Sequence, residues 1–149
     1  MKTIKYTLMS ILFIGLITSS GCKNDSDAEP SETDLQLTAL MNNGANWVLS
    51  SNGVIKDGFD VTDQFNGFHL NIGNKVYSTV NGLTPVWETT GVWDFQNNNP
   101  NLLIRDGVIV VNVSISGGNL ILTFNADAVP AGGRTESITG EYQFHLVSE

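Results

Sequence analysis

Val108-Ile109-Val110-Val111-Asn112-Val113-Ser114-Ile115-Ser116-Gly117-Gly118-Asn119-Leu120-Ile121-Leu122-Thr123-Phe124-Asn125 sets two β-type runs on either side of a glycine pair. Apolar side chains recur at every second residue, so Ile109, Val111, Val113 and Ile115 share one face of a strand. Leu120, Leu122 and Phe124 have the matching parity across the turn, while Asn112, Ser114, Thr123 and Asn125 take the other face. Gly117-Gly118 supplies the positive φ that a two-residue hairpin needs. An antiparallel hairpin with one wet and one dry face follows. Val108 and Val110 fall on the wet side, which calls for a cover, and a helix carrying Leu37, Leu40 and Met41 is the available one.

The same period continues in both directions. In the last run Ile138, Gly140, Tyr142, Phe144 and Leu146 face one way, and Thr139, Glu141, Gln143 and His145 the other. Strands are expected over residues 45–51, 67–72, 75–80, 91–96, 102–105, 108–115, 120–125 and 138–147. Gly73-Asn74, Asn81-Gly82, Asp106-Gly107 and Gly117-Gly118 fall between consecutive runs as turn residues. Neighbours in sequence are therefore neighbours in the sheet. Ser31-Glu32-Thr33-Asp34 ahead of Leu35, Leu37, Leu40 and Met41 has the form of a capped helix start, with Gly44 behind it. The expected fold is all-β, an antiparallel meander of about eight strands closed as a barrel or flattened as a sandwich, with one short N-terminal helix.

Ahead of that domain lies a different kind of sequence. Lys2 and Lys5 precede an apolar stretch of about ten residues, half of what a bilayer-spanning helix needs, and Ser19-Ser20-Gly21 ends at Cys22. This is an export signal over residues 1–21 with a cysteine placed for lipidation, and Cys22 is the only cysteine in the chain. Two or three acyl chains at Cys22 would hold the protein stably on a membrane. Residues 22–32 are acidic and lack any large apolar side chain, the composition of a disordered tether. Residues 33–149 make one domain, too short for two cores and with no disulfide to draw on. All fifteen acidic residues follow Cys22, against Lys23, Lys56, Lys75, Arg105 and Arg134, a net of −10, which argues against nucleic acid as a partner.

Gly44-Ala45-Asn46-Trp47, Gly67-Phe68-His69-Leu70-Asn71-Ile72, Pro85-Val86-Trp87, Gly91-Val92-Trp93-Asp94-Phe95, Arg105-Asp106-Gly107 and Gly132-Gly133-Arg134-Thr135 leading into Gly140-Glu141-Tyr142-Gln143-Phe144 cover most of the domain. Together they resemble the lipocalin-like lipoprotein domains of Bacteroidota. Lys23 with the acidic residues after it likewise resembles the export tag of surface lipoproteins in that group. The resemblance implies an outer-membrane, outward-facing lipoprotein built on a meander barrel.

No motif of a nucleophile elbow, metalloprotease or phosphate loop is present, so no catalytic residue, metal or cofactor is assigned. His69, His145 and Glu141 share polar strand parity, and Asp57, Asp60 and Asp63 recur around Gly58; solvated histidines and a polar turn account for them. Trp47 and Trp93 lie within strand patterns and belong to the core. Trp87, after Thr84-Pro85-Val86, is expected in a rim loop touching a ligand, with Tyr77 and Arg134 as weaker candidates. Arg105 and Arg134 flank turns, where they pair with nearby carboxylates or clamp an anion. The expected role is a non-catalytic binding module for a glycan or small apolar ligand. The alternative is a structural partner of another cell-envelope protein.

Overall fold

The computed structural model describes residues 29–127 and 138–149. Helix α1 (Glu32–Met41) precedes nine strands: β1 (Trp47–Lys56), β2 (Phe59–Asp60), β3 (His69–Gly73), β4 (Val76–Val80), β5 (Thr90–Phe95), β6 (Leu102–Arg105), β7 (Ile109–Ser116), β8 (Asn119–Ala126) and β9 (Gly140–Ser148). Apart from β2, a two-residue flap on the end of β1, each strand pairs antiparallel with the next, and β9 returns to β1. Of the two expected architectures the chain adopts the closed barrel, with eight strands. Closure removes the unpaired edges that a flattened sandwich would expose.

The central hairpin has the register the sequence dictates. Val111, Val113 and Ile115 pair with Phe124, Leu122 and Leu120, and Ser116 pairs with Asn119 across Gly117 and Gly118, both at positive φ. Inward residues of β8 and β9 form stacked aromatic rows: Phe124 lies 5.8 Å from Phe144 with nearly parallel rings. Three expectations change. Strand β1 runs on to Lys56, past an irregularity between Leu49 and Val54 where Asn52 takes positive φ. The turn after β3 centres on Asn74 and Lys75, because Gly73 pairs with Val76. Val108 sits in the turn before β7, and α1 does not cover it or Val110: they are 76% and 40% exposed.

Helix α1 instead packs at the opposite end of the barrel, beside β3. Ser31 caps it reciprocally with Asp34, so the helix begins at the last residues of the expected tether. Leu40 is wholly buried, Leu37 packs against the core, and the indole of Trp47 donates to the Leu40 carbonyl at 2.8 Å. Burying one leucine contributes about 1.5–3 kcal/mol, so this contact fixes the helix to the barrel. At the other end lie the connection from β1 to β3, with Phe65 buried against Phe144 and Tyr142, and residues 81–89 between β4 and β5. The expected lipidation site Cys22, the signal over 1–21 and Arg134 lie outside the described residues.

Candidate functional site

Residues 81–89 carry the tryptophan expected at the rim, and the chain turns Val86 and Trp87 of this loop inward. Thr79 on β4 is buried, and its N–H donates to the Thr89 carbonyl and its hydroxyl to the Glu88 carbonyl, both at 2.8 Å, which pins the returning limb. The N–H of Trp87 donates to the Gly82 carbonyl and that of Val86 to Leu83. A side chain at Gly82 would strike Trp87 and Thr79, so this close turn requires glycine. Trp87 is thereby folded into the barrel, only 3% exposed, against Phe68, Tyr77, Phe124 and Phe144. The rim position expected for it is corrected. The inward position of β5 opposite Tyr77 is Gly91, and the space its missing side chain leaves is taken by the Tyr77 ring and the Asp106 carboxylate.

Arg105 enters the same space. It follows Leu103 on the inward parity of β6 and is 3% exposed. Its guanidinium carbon lies 4.0 Å from the Trp87 ring centroid and 4.5 Å from that of Phe124, so the cation rests against two aromatic faces. Nη2 donates to the Val86 carbonyl at 2.9 Å, tying strand to loop. Nε lies 3.6 Å from Asp106 Oδ2, beyond hydrogen-bond length, and both Nε and Nη1 lack a protein hydrogen-bond partner. The indole N–H of Trp87 lacks one as well. Asp106 is occupied elsewhere: Oδ2 accepts the Tyr77 hydroxyl at 2.7 Å and Oδ1 the Val92 N–H at 3.0 Å.

These contacts set the electrostatics. Burial pushes the Arg105 guanidinium below its ordinary value, opposed by Tyr77, Asp106 and Glu88. Burial, and next the hydrogen bond to Asp106, keep the Tyr77 hydroxyl protonated well above the usual phenol range. Tyr77, Trp87 and Arg105, with Trp93, Leu103 and Leu122 among the others, line a cavity of about 20 Å³. A cavity of about 10–15 Å³ on this measure holds one water, so this cavity has room for one small group.

Two of the three sequence candidates, Trp87 and Tyr77, are thus brought together, ring centroids 5.5 Å apart, with Arg105 as the third member. The buried setting of Arg105 escaped sequence reading because Leu102-Leu103-Ile104 is apolar on both faces, which hides the parity that carries Arg105 inward. Among the described residues no three His, Cys, Asp or Glu side chains cluster as metal ligands. Asp57 and Asp60 serve local structure, accepting from the Glu141 N–H and from Thr62. Outside the barrel, Val76 pairs with Val92 and Ile104 with Val110, and Val76, Val80 and Val92 are each more than half exposed. No protein-family model, curated protein or solved structure matches this chain.

Proposed function

We infer that the chain is a non-catalytic binding module, exported and anchored through a lipid on Cys22 to the outer membrane, facing the cell exterior. The observation that carries the binding role is the buried guanidinium of Arg105, with Nε and Nη1 unpaired beside the unpaired indole N–H of Trp87. Unpaired buried donors cost about 1–3 kcal/mol each, more when charged, and such a cost is retained where a ligand repays it. Of the two ligand classes expected, a small molecule fits better than a glycan, because Trp47, Trp87 and Trp93 are all buried and offer no open face for a sugar ring. The lipid anchor rests on the sequence around Cys22 alone, and the Bacteroidota-type surface location on its resemblance to that group's lipoproteins.

Native mass spectrometry of the full chain extracted gently from membranes tests both halves. A lipid adduct on Cys22 and a small molecule retained by the wild type but not by Trp87→Ala are the expected results. An unmodified Cys22 overturns the anchor, and the absence of any retained or titratable small ligand overturns the binding role. A second reading, docking of an envelope protein, is favoured by the exposed Val76, Val92 and Val110 on the outer face of β4 to β7. Crosslinking from Val92→Cys in intact cells gives a discrete heteromeric product under that reading and none under the first.

A further inference from the structure

We propose that residues 82–87 form a plug that swings out of the barrel as a unit while the strands stay paired. Both stems of this loop are tied down. Asn81 Nδ2 donates to the Asn66 and Gly67 carbonyls at 3.1 and 3.2 Å, and Thr79 holds Glu88 and Thr89. Between the stems, one hydrogen bond among the described residues joins loop to barrel, from Arg105 Nη2 to the Val86 carbonyl at 2.9 Å. The bonds from Val86 to Leu83, from Trp87 to Gly82 and from the Thr84 hydroxyl to the Trp87 carbonyl lie inside the segment and travel with it. Gly82, which carries no side chain, and the exposed Glu88 are the turning points.

The walls do not depend on the plug. Phe124 on β8 and Phe144 on β9 remain stacked on each other, and Phe144 remains against Phe65 and Phe68, when Trp87 leaves. The closed state gains the burial of Val86 and Trp87. Several costs stand against that gain in the same place. Arg105 Nε and Nη1 and Trp87 Nε1 are buried without a partner, and they regain water when the indole swings out. Leu83 holds a φ of 54°, a left-handed conformation that crowds its Cβ, and at 41% exposure it recovers little of this by packing. Gain and costs meet in one short segment, the arrangement of a local opening that precedes unfolding. The proposal goes beyond the binding reading. Opening would admit a small molecule, but it is a property of the fold and needs no ligand, so its failure leaves that reading to its own mass-spectrometric test.

The Trp87 indole hydrogen reports the motion directly, because it is buried but unbonded and exchanges only when solvent reaches it. The indoles of Trp47 and Trp93 donate to backbone carbonyls and serve as references. Hydrogen exchange of the full wild-type chain is followed by NMR in increasing urea below the unfolding transition, with the Trp87 resonance assigned from its loss in Trp87→Phe. The Trp87 indole is expected to exchange at least about tenfold faster than the slowest amides of β8 and β9, at a rate nearly independent of urea, because a local opening exposes little surface. Leu83→Asn places at this φ a residue that tolerates it, and is expected to slow the indole exchange about threefold or more. An indole rate that climbs with urea in step with the β8 amides overturns the plug. So does a Leu83→Asn rate no slower than that of wild type.

Discussion

The hairpin of β7 and β8 and the loop over residues 81–89 both supply the barrel interior, and they do so by different physics. In the hairpin the pleat decides: side chains alternate between faces, and one pairing, Val113 with Leu122, fixes all the others. In the loop no period operates. Trp87 is placed by single hydrogen bonds, from its own N–H to Gly82 and from Arg105 Nη2 to Val86. A strand can lose one contact and keep its register, whereas the loop has few constraints and each is separately needed. Stability is expected to concentrate in the first region and ligand response in the second.

Paired truncations break the comparison most sharply. Phe144, in contact with Phe65, Phe68, Trp87 and Phe124, joins the two regions, and Phe144→Ala is expected to cost about 3–5 kcal/mol in urea unfolding. Trp87→Ala opens a cavity of similar scale, so its thermodynamic cost falls in the same range of about 3–5 kcal/mol. The two should separate in amide hydrogen exchange. Loss of Phe144 is expected to accelerate exchange across β8 and β9, and loss of Trp87 chiefly in the residues that flank the loop. Uniform acceleration in both variants would show that loop and hairpin form one cooperative unit.

Glycine substitutions give the next smaller effects. Gly82→Ala places a carbon against Trp87 and Thr79, and crowding of this kind costs about 1–3 kcal/mol. Gly118→Ala meets no neighbour, and its penalty is the positive φ of the turn alone, about 1 kcal/mol. Thermal unfolding of the two variants ranks them; a larger loss for Gly118→Ala would mean that the loop adapts to the added carbon. Only Gly82→Ala is expected to disturb the Trp87 fluorescence.

The same contrast explains what could be read from the residues. Alternation gave the eight barrel strands, the inward set Leu120, Leu122, Phe124, Tyr142, Phe144 and Leu146, and the burial of Trp47 and Trp93. Ser31 and Asp34 announced the start of α1 by chemistry that is local in sequence. The inward position of Trp87 is not legible because it depends on Gly82 and Arg105, residues 5 and 18 positions away whose partnership no local pattern encodes. Val108 and Val110 suggested a lid because exposed valines on a wet face look anomalous, yet α1 takes its place from Trp47 at the other end. The continuation of β1 was hidden by Ser50-Ser51-Asn52-Gly53, which reads as a turn and forms an irregularity within the strand.

Titration separates the regions with the smallest effects. The Tyr77 hydroxyl beneath the loop has a raised folded-state pKa, so the stability it carries is complete below the ordinary phenol range. That stability is lost as pH rises through the range in which unfolded chains ionise. Wild type should therefore lose stability at alkaline pH more steeply than Tyr77→Phe, and ultraviolet titration should show Tyr77 and Tyr142 ionising late, the Tyr77 contribution vanishing in Tyr77→Phe.

Asp57, on the rim where β1 ends, behaves with the opposite sign. Its pKa is held down first by the Glu141 N–H at 2.9 Å and then by Lys56, so its contribution is present above the ordinary carboxylate value and fades as pH falls through the lowered one. The carboxylate is solvent-exposed, and its effect should be slight and reduced by salt. Asp57→Asn is expected to flatten the acid limb of the stability curve without moving the alkaline limb. Because Glu141 opens β9 beside the last turn of β1, a flattened acid limb would also mean that this single hydrogen bond helps to hold the closing seam of the barrel. An unchanged acid limb would assign closure wholly to the paired backbones of β1 and β9.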